Sequence, residues 1–561
     1  MRYALVLTAA AILAPAPAFA ADPAPAAKPA DPPITFQTHP FERVLNDIRF
    51  AADLVGGEKA VKAFNKAIKD QLGDKGFEGL DLGKPIVGYV LLAPKPADIT
   101  AVIAFPITGE KEFIALCDRW NGGEKAKDLG KGLYEVPPLN PRYKARMKFA
   151  NQYAYVAYGA NPEPALDAKV IVAPEKLYDP AENALFTGKL HFDRLTPEVK
   201  KAIPVYVAEI KKEFGRDENR IDGVLGKILQ AGMPDIEKML ARYALLLLGG
   251  ADTAALRLSI DLPTSDFVVD FTVTPKPNTP LAKVISEHKP GGNQFAGLLK
   301  PDTVAGFKTR LPFFNDELKA AGVKMLEEGQ KQANQPGAPK DMLDELFKGL
   351  IRTVKTGEAD IVAGIRGPDK TGEFTLVAAI AFDDPSALEK EFKKFFEKDA
   401  PQTEQDRMKW DADKAGKVSI HTFSFPNERG FLNPAKIFGG DQCKLAFAFA
   451  PKGIFFVLGP DPIPVMKDAL AIKPEESPML DVVLNPARMG KLIEKGGGQA
   501  LEVERALGKE DKLLSATSLR VSGGKELNVK YAINLRLLPR ALFVSEDKSA
   551  PGEAPPPPIG K

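Results

Sequence analysis

Cysteine and histidine are scarce, two and four in 561 residues. Two cysteines cannot build a disulfide framework or a Cys-rich zinc module. Four histidines leave little for imidazole-based metal or acid–base sites, and no two of these six residues lie within five positions of each other. A surplus of one charge is also missing. Lys+Arg 76 against Asp+Glu 74 leaves a formal +2, which gives no electrostatic case for nucleic acid or an anionic membrane. No run reaches the roughly 18 apolar residues of a spanning helix. The longest candidate after the N-terminus, Tyr243-Ala244-Leu245-Leu246-Leu247-Leu248, stops at Gly249-Gly250. No transmembrane anchor is therefore expected.

Motifs for familiar chemistries are missing as well. There is no His-Glu-x-x-His, no Gly-x-Ser-x-Gly and no Gly-x-Gly-x-x-Gly, so zincin, serine-hydrolase-elbow and dinucleotide-binding readings lack support. Gly79-Leu80-Asp81-Leu82-Gly83-Lys84-Pro85 is one residue short of a P-loop and has Pro in place of the magnesium-reaching Ser/Thr. Ser286-Glu287-His288-Lys289 and Lys355-Thr356-Gly357 match two elements of penicillin-recognising enzymes, but the Ser-Asp-Asn between them is missing. A second Lys-Thr-Gly at 370–372 falls in a turn. Asp411-Ala412-Asp413-Lys414-Ala415-Gly416 opens like a calcium loop but has Thr422 where the twelfth-position Glu belongs. His191 and Asp193 stand two apart, with Asn485 and Ala487 as their counterparts later in the chain. His421 alternates with Phe423 and Phe425, which reads as a packed or edge histidine. No catalytic, cofactor-binding or metal-ligating residue is assigned.

What is present is globular. Hydrophobic residues make up 44% and charged residues 27%, and the length suggests two to four structural units. Residues 1–20 read as a secretory signal peptide: Arg2, an apolar stretch from Ala4 to Ala14, and Ala18-Phe19-Ala20 as the cleavage site. Export, to the periplasm or beyond, is the expected localisation. Residues 21–34 form a Pro/Ala-rich linker and 546–561 a Pro-rich tail; such compositions favour extended, solvated chain.

The body of the chain shows internal self-similarity. Phe77-Glu78-Gly79-Leu80 recurs as Phe347-Lys348-Gly349-Leu350. Ile103-Ala104-Phe105 recurs as Ile380-Ala381-Phe382. Gly159-Ala160-Asn161-Pro162-Glu163-Pro164 recurs as Gly459-Pro460-Asp461-Pro462-Ile463-Pro464, and Leu256-Arg257-Leu258-Ser259 as Leu519-Arg520-Val521-Ser522. The order is the same and the offsets are 270, 277, 300 and 263. Two α+β repeats, 35–290 and 296–545, follow from this, with Asn161 equivalent to Asp461 and Phe105 to Phe382. In the Gly-x-[Asn/Asp]-Pro joint, Gly ends a strand, Asn161 or Asp461 caps a helix, and Pro takes its first position.

Each half reads as a helical region, a β-hairpin, a helix capped by Thr108 or Asp384, three more strands, the joint, further helix and a closing hairpin. The first hairpins are Ile86–Leu92 with Ile99–Phe105 and Asp360–Arg366 with Phe374–Phe382. In the closing hairpins Phe267, Val269, Phe271 and Val273 alternate with Val268, Asp270 and Thr272, and Val529, Tyr531 and Ile533 alternate with Asn528, Lys530 and Ala532. Period two with one polar face indicates a half-buried antiparallel sheet. The expected fold class is α+β, internally duplicated, with helices on one face.

The signal peptide, paired hairpins and Gly-x-[Asn/Asp]-Pro joints resemble those of uncharacterised secreted bacterial proteins built from repeated β-hairpin-plus-helix units. The resemblance implies no activity and no site residue. The reading favoured is a non-catalytic binding or scaffolding protein of the bacterial cell envelope, needing no cofactor, with an envelope protein or polymer as partner. A hydrolase assembled from distant loops and a carrier of an apolar ligand are the alternatives.

Overall fold

The computed structural model describes residues 31–138, 143–203, 246–311, 316–333, 339–357, 359–425, 434–496 and 517–537. The expected signal peptide, nearly all of the expected linker and the expected Pro-rich tail lie outside these residues. None of the described helices is long and apolar enough to cross a membrane.

The first half contributes ten strands: β1 (Ile34–Pro40), β2 (Pro85–Leu91), β3 (Thr100–Pro106), β4 (Lys127–Gly130), β5 (Leu133–Val136), β6 (Lys144–Ala150), β7 (Tyr153–Gly159), β8 (Phe186–His191), β9 (Ala251–Asp261) and β10 (Asp266–Pro275). They pair antiparallel in the order β4-β5-β6-β7-β3-β2-β1-β8-β9-β10. A short strand β11 (Gly291–Asn293) follows. The second half then supplies β12 (Thr303–Leu311), β13 (Ala359–Arg366), β14 (Thr375–Ala381), β15 (Met408–Ala415), β16 (Val418–Ser424), β17 (Lys444–Ala450), β18 (Gly453–Gly459), β19 (Glu475–Ser477), β20 (Leu480–Leu484), β21 (Thr517–Ser522) and β22 (Leu527–Asn534). Its order is β15-β16-β17-β18-β14-β13-β12-β20-β21-β22, the same succession strand for strand. β10 pairs with β22, which joins the halves into one 20-stranded antiparallel sheet. β11 and β19 form a separate two-stranded ladder.

Registers correspond as well as order. Val87 faces Ala104, which faces Tyr155; 275 and 300 positions later, Val362 faces Ala379, which faces Phe455. Arg257 faces Asp270, and Arg520 faces Lys530. Asp270 and Lys530 also face each other, so the axis relating the halves runs through that pair.

Some sequence expectations need correction against this ladder. Phe105 corresponds to Ile380, not Phe382: Phe105 faces Ala154 and Ile380 faces Ile454. Two residues keep the side chain on the same face, so the motif match survived the slip. Phe77–Leu80 and 347–350 are not equivalent, because the first is a turn and the second lies within a helix. The described helices of eight residues or more are α1 (Phe41–Leu72, broken at Gly57), α2 (Glu110–Trp120), α3 (Pro280–Glu287), α4 (Asp316–Ala333), α5 (Lys340–Thr356), α6 (Ser386–Lys398), α7 (Pro462–Leu470) and α8 (Pro486–Lys495). α2 starts after Gly109, so Thr108 is not its cap; α6 starts after Pro385, and Asp384, one residue earlier than a cap, accepts from Ser386 N at 3.3 Å.

Nor do the helices keep to one face. Alternate residues of β18 show this. Ile454 and Phe456 pack with Leu346 of α5 and Leu388 of α6, whereas Phe455 and Val457 pack with Met466 of α7. Alternate residues of a strand point to opposite faces, so α7 lies opposite α5 and α6. Both faces carry apolar residues here, and each needs a cover. Asp461 precedes α7 with Pro462 at its first position, but its side chain accepts no capping hydrogen bond. The counterpart at Glu163–Leu166 is a single 3-10 turn. There Asp167 Oδ1 accepts from Lys169 N at 2.8 Å, and the β-branched run Val170-Ile171-Val172 disfavours helix.

Candidate functional site

Polar side chains line up where the halves meet. Gln37 faces Thr187, Thr187 faces Arg257, and Arg257 faces Asp270. Across the axis Asp270 faces Lys530, Lys530 faces Arg520, Arg520 faces Asp481, and Asp481 faces Lys308. Residues directly opposite in a ladder share a face, so one row crosses eight strands, roughly 34 Å at about 4.8 Å per strand. It ends on apolar residues at both sides, Val87 and Val362.

The two ends of the row differ in how well they are satisfied. On the first-half side the charged groups and Gln37 have internal partners, while the buried Thr187 hydroxyl has none among the described residues. Arg257 Nε donates to Glu182 Oε2 at 3.0 Å, and its Nη1 donates to Thr272 Oγ1 at 3.1 Å. Asp270 accepts from Thr272 Oγ1 at 2.8 Å and from Asn528 Nδ2 at 2.9 Å. Gln37 clamps the backbone of Asp179 through both ends of its amide. The second-half side is open. Lys308 Nζ and Arg520 Nη2 each stand 3.5 Å from Asp481 Oδ2. Asp481 is buried, and its Oδ1 has no hydrogen-bond partner. The Arg520 side chain is 54% exposed. Lys530 is exposed, and it forms no ion pair or hydrogen bond among the described residues.

The opposite face of the same strands is apolar but incompletely covered. Phe271 and Tyr531, 260 positions apart and related by the axis, are 40% and 38% exposed. Phe307 is 38% exposed, although its first-half counterpart Phe36 is 5% exposed against Phe186 and Leu258. The expectation that this face is buried therefore fails at the centre of the sheet.

His421 anchors a second polar cluster, at the β15 end of the sheet. Its side chain is fully buried, with Trp410, Phe447 and Phe449 around the ring. Asp411 N donates to its Nδ1 at 3.0 Å. Nε2 therefore carries the proton and donates to Glu389 Oε1 at 3.2 Å. Glu389 also pairs with Lys393 at 2.8 Å. Burial first, and then the Lys393 charge, hold the imidazole below its usual range. Both nitrogens are engaged inside a closed aromatic packing, an arrangement that serves as a pin between α6 and the edge hairpin.

The other residues singled out in the sequence do not converge. Ser286 donates its hydroxyl to Lys283 O. Lys355-Thr356-Gly357 closes α5 on the left-handed Gly357, and Lys370-Thr371-Gly372 turns on Asp369. Gly79–Pro85 links α1 to β2, and Asp81 Oδ1 accepts from Gly83 N. Asp411 and Asp413 lie in β15, paired with Lys393 and Lys467, so neither carboxylate stands free for calcium. His191 ends β8 beside Thr35, and Asp193 sits in the 3-10 turn beyond. Cys117 and Cys443 are unpaired, and burial pushes their thiols up to about 12 and about 11. Among the described residues no three His, Cys, Asp or Glu side chains gather as a metal site. A cleft of about 310 Å³ between α5 and α6 is lined by Asp341, Asp344, Glu345, Lys348, Lys390 and Glu391, acids and lysines with no hydroxyl, thiol or imidazole among them.

No family model, curated protein or solved structure matches the chain.

Proposed function

We propose that this is an exported, non-catalytic binding or scaffolding protein of the bacterial cell envelope, built by internal duplication, and that the polar face at the centre of its sheet is the working surface. One observation carries this reading: in the row of facing polar side chains that crosses both halves, the charged groups of the first half are tied to internal partners, whereas Arg520 and Lys530 of the second half stand exposed. A continuous ladder fixes those side chains at regular spacing, buried at Gln37, Thr187 and Asp481 and open to solvent at Arg520 and Lys530. Such a surface suits holding an extended partner better than enclosing a small substrate. Catalysis would need a nucleophile and a base within hydrogen-bond reach. The row offers buried or paired carboxylates and cations instead.

A second reading, carriage of an apolar ligand, draws on the exposure of Phe271, Tyr531 and Phe307 across the opposite face.

The experiment is co-sedimentation of the exported chain with an isolated envelope fraction. The charge-reversed variant Lys308→Glu/Arg520→Glu/Lys530→Glu should stay in the supernatant while the wild type sediments. Both should leave ester, peptide and glycoside reporters unhydrolysed. Equal sedimentation of the two, or a turnover that the charge-reversed variant loses, would sink the reading.

A further inference from the structure

The two halves place different charges at one equivalent position. Beside Arg257 the first half carries Asp270 across the ladder; beside Arg520 the second half carries Lys530. The first arrangement is complete. The Asp270 carboxylate lies 3.8 Å from Arg257 Nη1 and accepts from Thr272 and Asn528. The second sets two cations directly opposite each other, a pairing that destabilises a ladder when nothing lies between them. Arg520 has only Asp481 nearby, at 3.5 Å and shared with Lys308. Asp270, directly opposite Lys530 on its other side, forms no ion pair with it among the described residues; its oxygens accept from Thr272 and Asn528. On the same face stand Ser522, which faces Asn528, and Ser518, which faces Ala532. Neither serine hydroxyl is engaged among the described residues.

We propose that Arg520 and Lys530 hold a carboxylate of an external ligand, in the place that Asp270 fills beside Arg257. The first half is the template: it shows a carboxylate accepting from hydroxyl and amide donors close to a guanidinium on this same surface. The second half keeps the guanidinium, replaces the acid with an ammonium and leaves serine hydroxyls free. A carboxylate entering there relieves the like-charge contact and accepts charge-assisted hydrogen bonds from both cations. The site rests on the reading of the polar face as the working surface, and it names the chemistry which that surface takes.

The test uses hexaglutamate and inorganic phosphate as probes, with binding followed by calorimetry at low ionic strength. The wild type should bind hexaglutamate. Arg520→Gln and Lys530→Gln should each weaken it about tenfold or more, the loss of one charge-assisted hydrogen bond. Arg257→Gln should change it by less than about twofold, since its partners are internal. A second readout separates a binding role from a structural one. Without ligand, Lys530→Gln should melt at or above the wild-type temperature, because a repulsive contact is gone. With hexaglutamate the wild type should gain in melting temperature and Lys530→Gln should gain less. Equal binding by wild type and Lys530→Gln, a lowered melting temperature of unliganded Lys530→Gln, or binding of phosphate in preference to hexaglutamate would each overturn the proposal. If Lys530→Gln loses hexaglutamate but still sediments with the envelope, the carboxylate site stands and the partner is held elsewhere on the face. If it keeps hexaglutamate, the carboxylate site fails whatever the envelope result.

Discussion

Gly79→Ala is expected to lower stability by about 3 kcal/mol, the sum of backbone strain and an overpacked contact. Gly79 has φ +109, where L side chains are strained, and an added Cβ would stand 2.5 Å from the backbone carbonyl carbon of Glu112. That neighbour is the first turn of α2, held by its own hydrogen bonds, so it cannot swing aside as a side-chain tip can. The turn is also pinned from below: Thr108 N donates to Gly79 O at 3.1 Å, and Leu80 bridges to Ile107. Gly76→Ala is the control. Its φ is +50 with nothing within 4 Å of the added carbon, so only the strain remains, about 1 kcal/mol. Denaturant midpoints of the two variants check both numbers. Similar small losses in both would mean that α2 does not press on this turn.

His421→Ala should cost about 3 kcal/mol by removing a fully buried ring from an aromatic cluster and stranding the Asp411 N–H. The pH dependence is the sharper readout. Burial and the Lys393 charge place the folded-state pKa of His421 below the ordinary imidazole value of about 6.5, with Glu389 and Asp411 opposing them. The unfolded chain titrates near 6.5 and so binds more protons than the folded one as pH drops below that value. The neutral ring's contribution is complete above about 6.5 and is lost as pH falls through the folded pKa. Protonated Nδ1 would also turn a donor toward the Asp411 N–H, which has no use for one. His191 and His288 are lowered too, each mainly by burial, and contribute with the same sign. Wild-type stability should therefore fall below about pH 6.5, and the fall should be shallower in His421→Gln. An unchanged slope in that variant would place the proton uptake elsewhere.

Much of the sheet was legible in the sequence, and the reason differs by strand. β2, β3, β13 and β14 are apolar runs closed by Pro- and Gly-rich turns. β10 and β22 alternate with period two. Both signals are local. β1 and β12 were hidden. Each carries threonine and a charged or amide residue on the polar row, Gln37 or Lys308, so neither reads as a buried strand. β4 and β15 were hidden for another reason: as edge strands they are short or charged, with Lys127, Asp128, Lys409 and Asp413 discouraging further pairing. The false repeat at Gly79 and Gly349 shows the limit of matched letters. Gly79 permits a turn against α2. Gly349 lies in α5, where an added Cβ would overlap the Phe382 ring. Both need a missing side chain, but for unrelated contacts.

The row itself had no sequence signal. Each strand contributes one polar residue of an ordinary kind, and only the register brings Lys308, Asp481, Arg520 and Lys530 side by side. The pair Leu256-Arg257 and Leu519-Arg520 came closest, since it marked equivalent arginines. Their different partners, Asp270 and Lys530, became visible only once β10 and β22 were joined.

That joint is the centre of the account, and residue-resolved amide hydrogen exchange on β22 tests it most directly. An edge strand leaves alternate N–H groups open to water, whereas a strand flanked on both sides has every one bonded. With β21 on one side and β10 on the other, all amides from Asn528 to Ile533 should be protected, those turned toward β10 as strongly as those turned toward β21. Alternating fast and slow amides along β22, with the fast ones on the β10 side, would contradict the continuous sheet and remove the shared face on which the row lies.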